Sequence, residues 1–117
     1  MSKALSDDGG DAATTTRAFH EAVNMTAAKI EHWLGLAESK EVGYKASDGD
    51  ESVGHHSGRR IIQILGKKKA DLDADDLAHM KKVVGYVHRH LAQRPHGDVT
   101  ETKWRYSLMN WGHDPVR

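Results

Sequence analysis

The stretch from Asp73 to Pro95 constrains the fold more than any other part of the chain. Leu77, Met80, Val84, Val87 and Leu91 recur at heptad-like spacing, which gathers them on one side of an α-helix and would scatter them over both faces of a strand. Asp73 stands where an N-cap belongs, and Asp76 falls in the first turn, where the helix dipole favours a negative charge. Leu72 and Leu77 occupy the two positions of a hydrophobic staple, and Pro95, following Arg94, stops the helix. A helix with one apolar stripe must bury it against something. The rest of the chain offers more helices, because period-two alternation and bounded β-branched runs are nearly absent.

Four further helices are expected. Phe19 and Val23, four apart, mark a short one over about Arg17 to Asn24. A second begins after Thr26 as N-cap, with Met25 and Ile30 as its staple and Ile30, Trp33, Leu34 and Ala37 as its apolar stripe. Ser39 to Ser57 is rich in Gly, Ser, Asp and Glu and reads as a long loop with one packed turn. Ser57 then caps a third helix that buries Ile61, Ile62 and Leu65 and stops at Gly66 and Lys67. After the Asp73 helix, a last one starts near Asp98, with Glu101 completing a capping box, or at Thr100, which would pair Val99 and Trp104 in a staple. Both starts stay open. Trp104, Leu108 and Trp111 dock this helix, and Gly112 and Pro115 end it. Met1 to Thr16 has Leu5 as its one large apolar residue and reads as a disordered acidic tail. The expectation is therefore an all-α protein: a compact bundle of about four to five helices over residues 17–117, preceded by a flexible tail over 1–16.

Charge is balanced overall, at 17 basic and 17 acidic residues, but not along the chain. Met1 to Ser52 carries five basic and ten acidic residues, and Val53 to Arg117 carries twelve and seven. The basic half points to a polyanionic partner. If Ser57 opens a helix, its free backbone amides face the same way as Arg59 and Arg60, Gly58 leaves room for close approach, and a phosphate is the natural guest. The plainer reading pairs those arginines with Asp48, Asp50 or Glu51. Lys67, Lys68 and Lys69 suit a helix C-terminus and would also meet the next phosphate. Projected around the Asp73 helix, Lys82, Arg89, Gln93, Tyr86 and His79 fall opposite the apolar seam, a face that is either plainly solvated or laid along a phosphate backbone. The small residues Ala78, Gly85 and Ala92 form a second stripe on this helix, where another backbone could approach.

Other chemistries find little support. The chain has no cysteine, which excludes a disulfide framework, a zinc ribbon and a thiol nucleophile. Nine histidines raise a metal site, yet no two stand three or four apart, the spacing a helical site requires. Asp75 and His79, four apart, suit a helical ion pair instead. His113-Asp114 and His96-Gly97-Asp98 lack a nucleophile elbow, and Gly54 to Gly58 lacks the lysine of a phosphate loop. No catalytic constellation, cofactor or metal is expected. Neither a signal segment in Met1 to Thr16 nor a run of 18 apolar residues is present, so a cytoplasmic location without membrane contact is expected.

Three blocks carry a resemblance. They are Glu51-Ser52-Val53-Gly54-His55-His56-Ser57-Gly58-Arg59-Arg60-Ile61, then His79 to Val87 continuing through Arg89 to Pro95, and Trp104 to Pro115. In these the chain resembles a family of short microbial proteins known as domain of unknown function 3140, over about Phe19 to Pro115. Some members of that family carry the label of DNA-binding protein, so the resemblance implies a nucleic-acid partner and no catalytic residues. The expected function is non-enzymatic binding of DNA phosphates with low sequence specificity, through Ser57, Gly58, Arg59, Arg60, Lys67, Lys68, Lys69, Lys82 and Arg89. The alternative is a protein-interaction or homodimerisation module in which the acidic half of one copy meets the basic half of another.

Overall fold

A computed structural model describes residues 3–42 and 51–116, with side chains from residue 12 onward. The described residues form six α-helices and no strand: α1 (Lys3–Ala22), α2 (Ala27–Leu34), α3 (Ala37–Lys40), α4 (Val53–Leu65), α5 (Ala74–Leu91) and α6 (Lys103–Asn110), with a 3-10 turn at Lys69–Asp71. The all-α class holds, with one helix more than the bundle expected. Among the described residues no helix is long and apolar enough to cross a membrane.

The helix α1 starts well before Arg17. Thr15 is buried four residues ahead of the fully buried Phe19, and Thr16 Oγ1 donates to the Ala12 carbonyl at 2.8 Å, so the packed chain begins inside the segment assigned to the tail. Threonines bury here without giving any apolar periodicity, which is why the pattern located only Phe19 and Val23. This helix lies along α5.

Thr26 caps α2 by accepting from the Lys29 amide, and its staple residues Met25 and Ile30 are both buried. The stripe ends sooner than expected. Gly35 closes α2 and Leu36 is extended, so Ala37 opens the separate α3 and is exposed. That break turns Ser39 inward. Asn110 Oδ1 accepts from Trp33 Nε1 at 2.7 Å and from Ser39 Oγ at 2.5 Å, and its Nδ2 donates to the Ser39 carbonyl at 3.1 Å. One buried amide thus ties α2 and α3 to the end of α6 with its polar atoms satisfied.

The largest correction concerns α4. Ser52, not Ser57, is its N-cap, accepting from the His55 amide at 3.0 Å. Residues 43–50 of the expected loop lie outside the described residues, whereas 53–57 are helix. Two glycines and a serine read as loop because they disfavour helix interiors. Here they are the packing face: Gly54, Ser57, Gly58, Ile61 and Ile64 are all buried. A Cβ on Gly58 would lie 2.7 Å from the Asn110 carbonyl oxygen and 2.9 Å from Leu34 Cδ2, and one on Gly54 would lie 3.0 Å from Trp111 Nε1. Only glycine lets α6 come this close.

At α5 the local signals hold. Asp73 accepts from the Asp76 amide at 2.8 Å and Asp76 from the Asp73 amide at 3.0 Å, a complete capping box. Leu72 and Leu77 both pack against the core. The seam, however, centres on Met80, Val83 and Val87, which are fully buried, with Leu77, Val84 and Leu91 at its flanks. For α6 neither expected start is used. Thr102 caps it, accepting from the Arg105 amide at 3.2 Å, while Asp98 accepts from the Thr100 amide and hydroxyl in the preceding turn. Trp104, Leu108 and Trp111 are buried as expected. The helix stops at Gly112, whose φ is +83°. The His113 amide donates to the Leu108 carbonyl and the Gly112 amide to the Met109 carbonyl, the paired bonds of a Schellman end.

Candidate nucleic-acid interface

The basic residues singled out in the sequence lie on α4, on the connector to α5, and on α5. Their surroundings separate them into those already engaged and those open to a partner. Ser57 has no free helix-start amides beside it, because it is buried one turn inside α4 and shares a 2.9 Å hydrogen bond with His79 Nε2. Gly58 faces Asn110 and Leu34, not solvent. The expected phosphate clamp at a Ser57 helix start therefore has no structural basis.

Arg59 takes the plainer reading. Its Nε and Nη2 donate to the two carboxylate oxygens of Glu51 at 2.9 and 2.8 Å. The same carboxylate meets His55 Nδ1, and His56 Nδ1 lies 3.6 Å away. Hydrogen bonding by Arg59, foremost, and by His55 lowers the Glu51 pKa to about 2. Asp76 is the second anionic hub. It has no solvent exposure, and Arg60 Nη1 and Lys67 Nζ each lie 2.7 Å from one of its oxygens. The Lys67 hydrogen bond, then the Asp73 amide and Arg60, hold Asp76 well below the usual carboxylate range. Sequence reasoning placed Asp76 at the helix dipole and missed this role. The signal was present as the lone carboxylate that a capping box turns inward at the end of a basic connector.

Two cations share that one carboxylate, so the Arg60, Lys67 and Asp76 group keeps one positive charge. Beside it sits His79, half-buried, with its pKa lowered to about 4 by burial and then by the charges of Arg60, Lys82 and His56. The Ser57–His79 hydrogen bond and the Arg60–Asp76 pair join α4 to the first turns of α5 and bring the basic residues of the two helices to neighbouring positions. Lys68, Lys69, Lys82 and Arg89 are exposed, and none of them pairs with a described carboxylate within 4.0 Å. Arg89 lies along the same helix, its Nη1 only 3.0 Å from where a Gly85 Cβ would be. Its guanidinium thus covers the middle of the small-residue stripe, leaving Ala78 and Ala92 exposed on either side.

Two residues of the projected face turn the other way. His79 stacks on Trp111 at 6.2 Å between ring centroids, and Tyr86, two turns further along α5, stacks against the same Trp111 at 4.3 Å and against His90 at 5.1 Å. The column continues through His90 to Trp104, which Arg94 covers at 5.3 Å. The projection treated α5 as buried on one side, but α1 and α6 flank it on two. The expected Asp75–His79 ion pair does not form, because the ring faces Ser57 and Trp111. Ser57 and His79 have the composition of a nucleophile and base. Ser57 is 1% exposed in a helix interior, however, and the low His79 pKa makes the ring a weak base, so the pair acts as a packing joint between α4 and α5. No group of three His, Asp or Glu side chains among the described residues could hold a metal ion.

The fold and this surface define a small helical protein with a basic face between α4 and α5. The chain matches the family model described as a protein of unknown function, DUF3140, over residues 18–109, and it belongs to that family. No curated protein and no solved structure is detectably similar to it.

Proposed function

We propose that the protein binds duplex DNA through its phosphates, with the face shared by α4 and α5 as the contact surface. The observation that carries this reading is that Lys68, Lys69, Lys82 and Arg89 are exposed and pair with no described carboxylate within 4.0 Å, while Asp76 alone offsets both Arg60 and Lys67. Lys82 and Arg89 are the anchors, one on each side of the Tyr86 turn, and Lys68 and Lys69 extend the surface along the connector. Lysines and arginines of this kind neutralise phosphates without reading bases, which supports low sequence specificity. Arg59 contributes little, since Glu51 takes its Nε and Nη2 in a two-bond ion pair and offsets its charge. The test is fluorescence anisotropy of a labelled duplex with single variants. Lys82→Glu and Arg89→Glu should each weaken binding at least tenfold on any sequence, and Arg59→Ala less than twofold. Equal effects of all three variants would contradict the assignment of the face.

A further inference from the structure

Away from the residues of the α4–α5 face, α2 and the end of α6 with Asp114 leave an open groove of about 370 Å³. Met25, Ala28, Trp33, Leu36 and Met109 line it, and Lys29 and His32 stand at its mouth. The volume is at the small end of the range for small-molecule sites, roughly 300–1,000 Å³. Its walls are fixed. Trp33 is anchored from behind by Asn110, and Asn24 holds the backbone of Asp114 through two hydrogen bonds, at 3.0 and 2.8 Å.

The polar groups around the groove decide what it suits. Asp114 is the one carboxylate in the lining, and Arg105 takes both of its oxygens, at 3.0 and 3.1 Å. The Asn24 amide is spent on the Asp114 backbone. What remains to meet a ligand's polar end is the Lys29 ammonium and the His32 ring, both exposed and both one helical turn or less from the apolar floor. An apolar slot with a cation at its rim is complementary to a small amphiphile carrying a negative charge. We propose that this groove binds a small aryl or acyl carboxylate, its apolar body between Met25, Trp33 and Met109 and its carboxylate at Lys29. The site is separate from the α4–α5 face and does not depend on DNA binding.

The test uses 2-naphthoate and its uncharged counterpart 2-naphthylmethanol, titrated into the full chain without DNA. The readouts are the NMR methyl signals of Met25 and Met109 and the indole signal of Trp33. Naphthoate should move all three and bind about three- to fivefold more tightly than the alcohol, the scale of one exposed ion pair. Lys29→Glu should abolish that preference while leaving the alcohol's affinity intact. Ala28→Trp, at an exposed helix position, should block both ligands, and Lys82→Ala should change neither. Absence of shifts at these three residues, or a naphthoate preference that survives Lys29→Glu, would overturn the proposal. Methyl shifts that move with protein concentration alone would assign the groove to a second copy and overturn it as well.

Discussion

The same substitution at two helix-interior glycines should have opposite effects on stability. Replacing glycine by alanine inside a helix ordinarily gains about 0.5–1 kcal/mol, because alanine loses less backbone entropy on folding. At Gly85 in α5 the added methyl meets only the end of the Arg89 side chain, at 3.0 Å, and that guanidinium can swing away. Gly85→Ala should therefore keep the gain and raise Tm by about 2–4 °C for a domain of this size. At Gly58 in α4 the methyl lies 2.7 Å from a backbone oxygen of Asn110 and 2.9 Å from Leu34 Cδ2, neither of which can move without parting α4 from α6 or α2. Overpacking of this kind costs about 1–3 kcal/mol, which exceeds the propensity gain. Gly58→Ala should be destabilising by about 1–2 kcal/mol net, from the same two principles. Urea denaturation followed by helical circular dichroism gives both numbers. If Gly58→Ala were as stabilising as Gly85→Ala, α4 would not be packed against α6 through its glycines, and the helix interior assigned to Ser57 and Gly58 would be wrong.

Three further outcomes follow from the packing and the charges. Asn110→Ala strands the Trp33 indole N–H and the Ser39 hydroxyl and carbonyl in the core; at about 1–3 kcal/mol for each unpaired group it should cost at least about 3 kcal/mol, measured by urea denaturation, and a loss below about 1 kcal/mol would mean the hub is not intact. His79 has a folded pKa of about 4 against an ordinary value of 6.5, so the unfolded chain binds the proton first and stability falls as pH drops from about 6.5 toward 4. At about 1.4 kcal/mol per pH unit the difference would be worth about 3.4 kcal/mol, which solvent screening of the half-exposed ring brings down to the order of 2 kcal/mol. His79→Gln should remove that part of the pH dependence, and an unchanged profile between pH 6.5 and 4.5 would show the ring to be solvated. Gly112→Ala forces alanine to a φ of +83° and sets its methyl 3.0 Å from Val23 Cγ1, which should cost about 1–3 kcal/mol in thermal or urea denaturation, whereas Gly97→Ala meets nothing within 4 Å and should pay the backbone strain alone.

What could be read from the sequence was local. The Asp73 cap with Asp76 in the first turn, the Thr26 cap with its Met25 and Ile30 staple, and the docking of Trp104, Leu108 and Trp111 each depend on residues within one or two turns, and each is present. The start of α4 was illegible for a physical reason: Gly54, Ser57 and Gly58 are poor helix formers in isolation, and their value appears only once Asn110 and Trp111 lie against them. Thr102 was passed over because Asp98 and Thr100 offer equally good caps to a local pattern, and Asp98 instead closes a turn. The basic residues were visible, and the pairing of Arg59 with Glu51 was one of the two readings open for it. The pairing of Arg60 and Lys67 with Asp76 was not visible: they stand sixteen and nine positions from it, spacings that carry no helical pairing signal, so Lys67 looked as available as Lys82 and Arg89. Tyr86 and His79 looked solvent-facing because a projection of α5 cannot know that α6 covers its second flank.

The central claim is that the α4–α5 face meets DNA phosphates, and the salt dependence of duplex binding tests it most directly. The logarithm of the binding constant should fall linearly with the logarithm of salt concentration, with a slope of about −0.9 for each phosphate contacted. Replacing Lys82 and Arg89 together by alanine should make that slope shallower by about 1.8, the loss of two such contacts, while Arg59→Ala leaves it unchanged. A slope that stays the same in the double variant, or the absence of binding at low salt, would contradict the account.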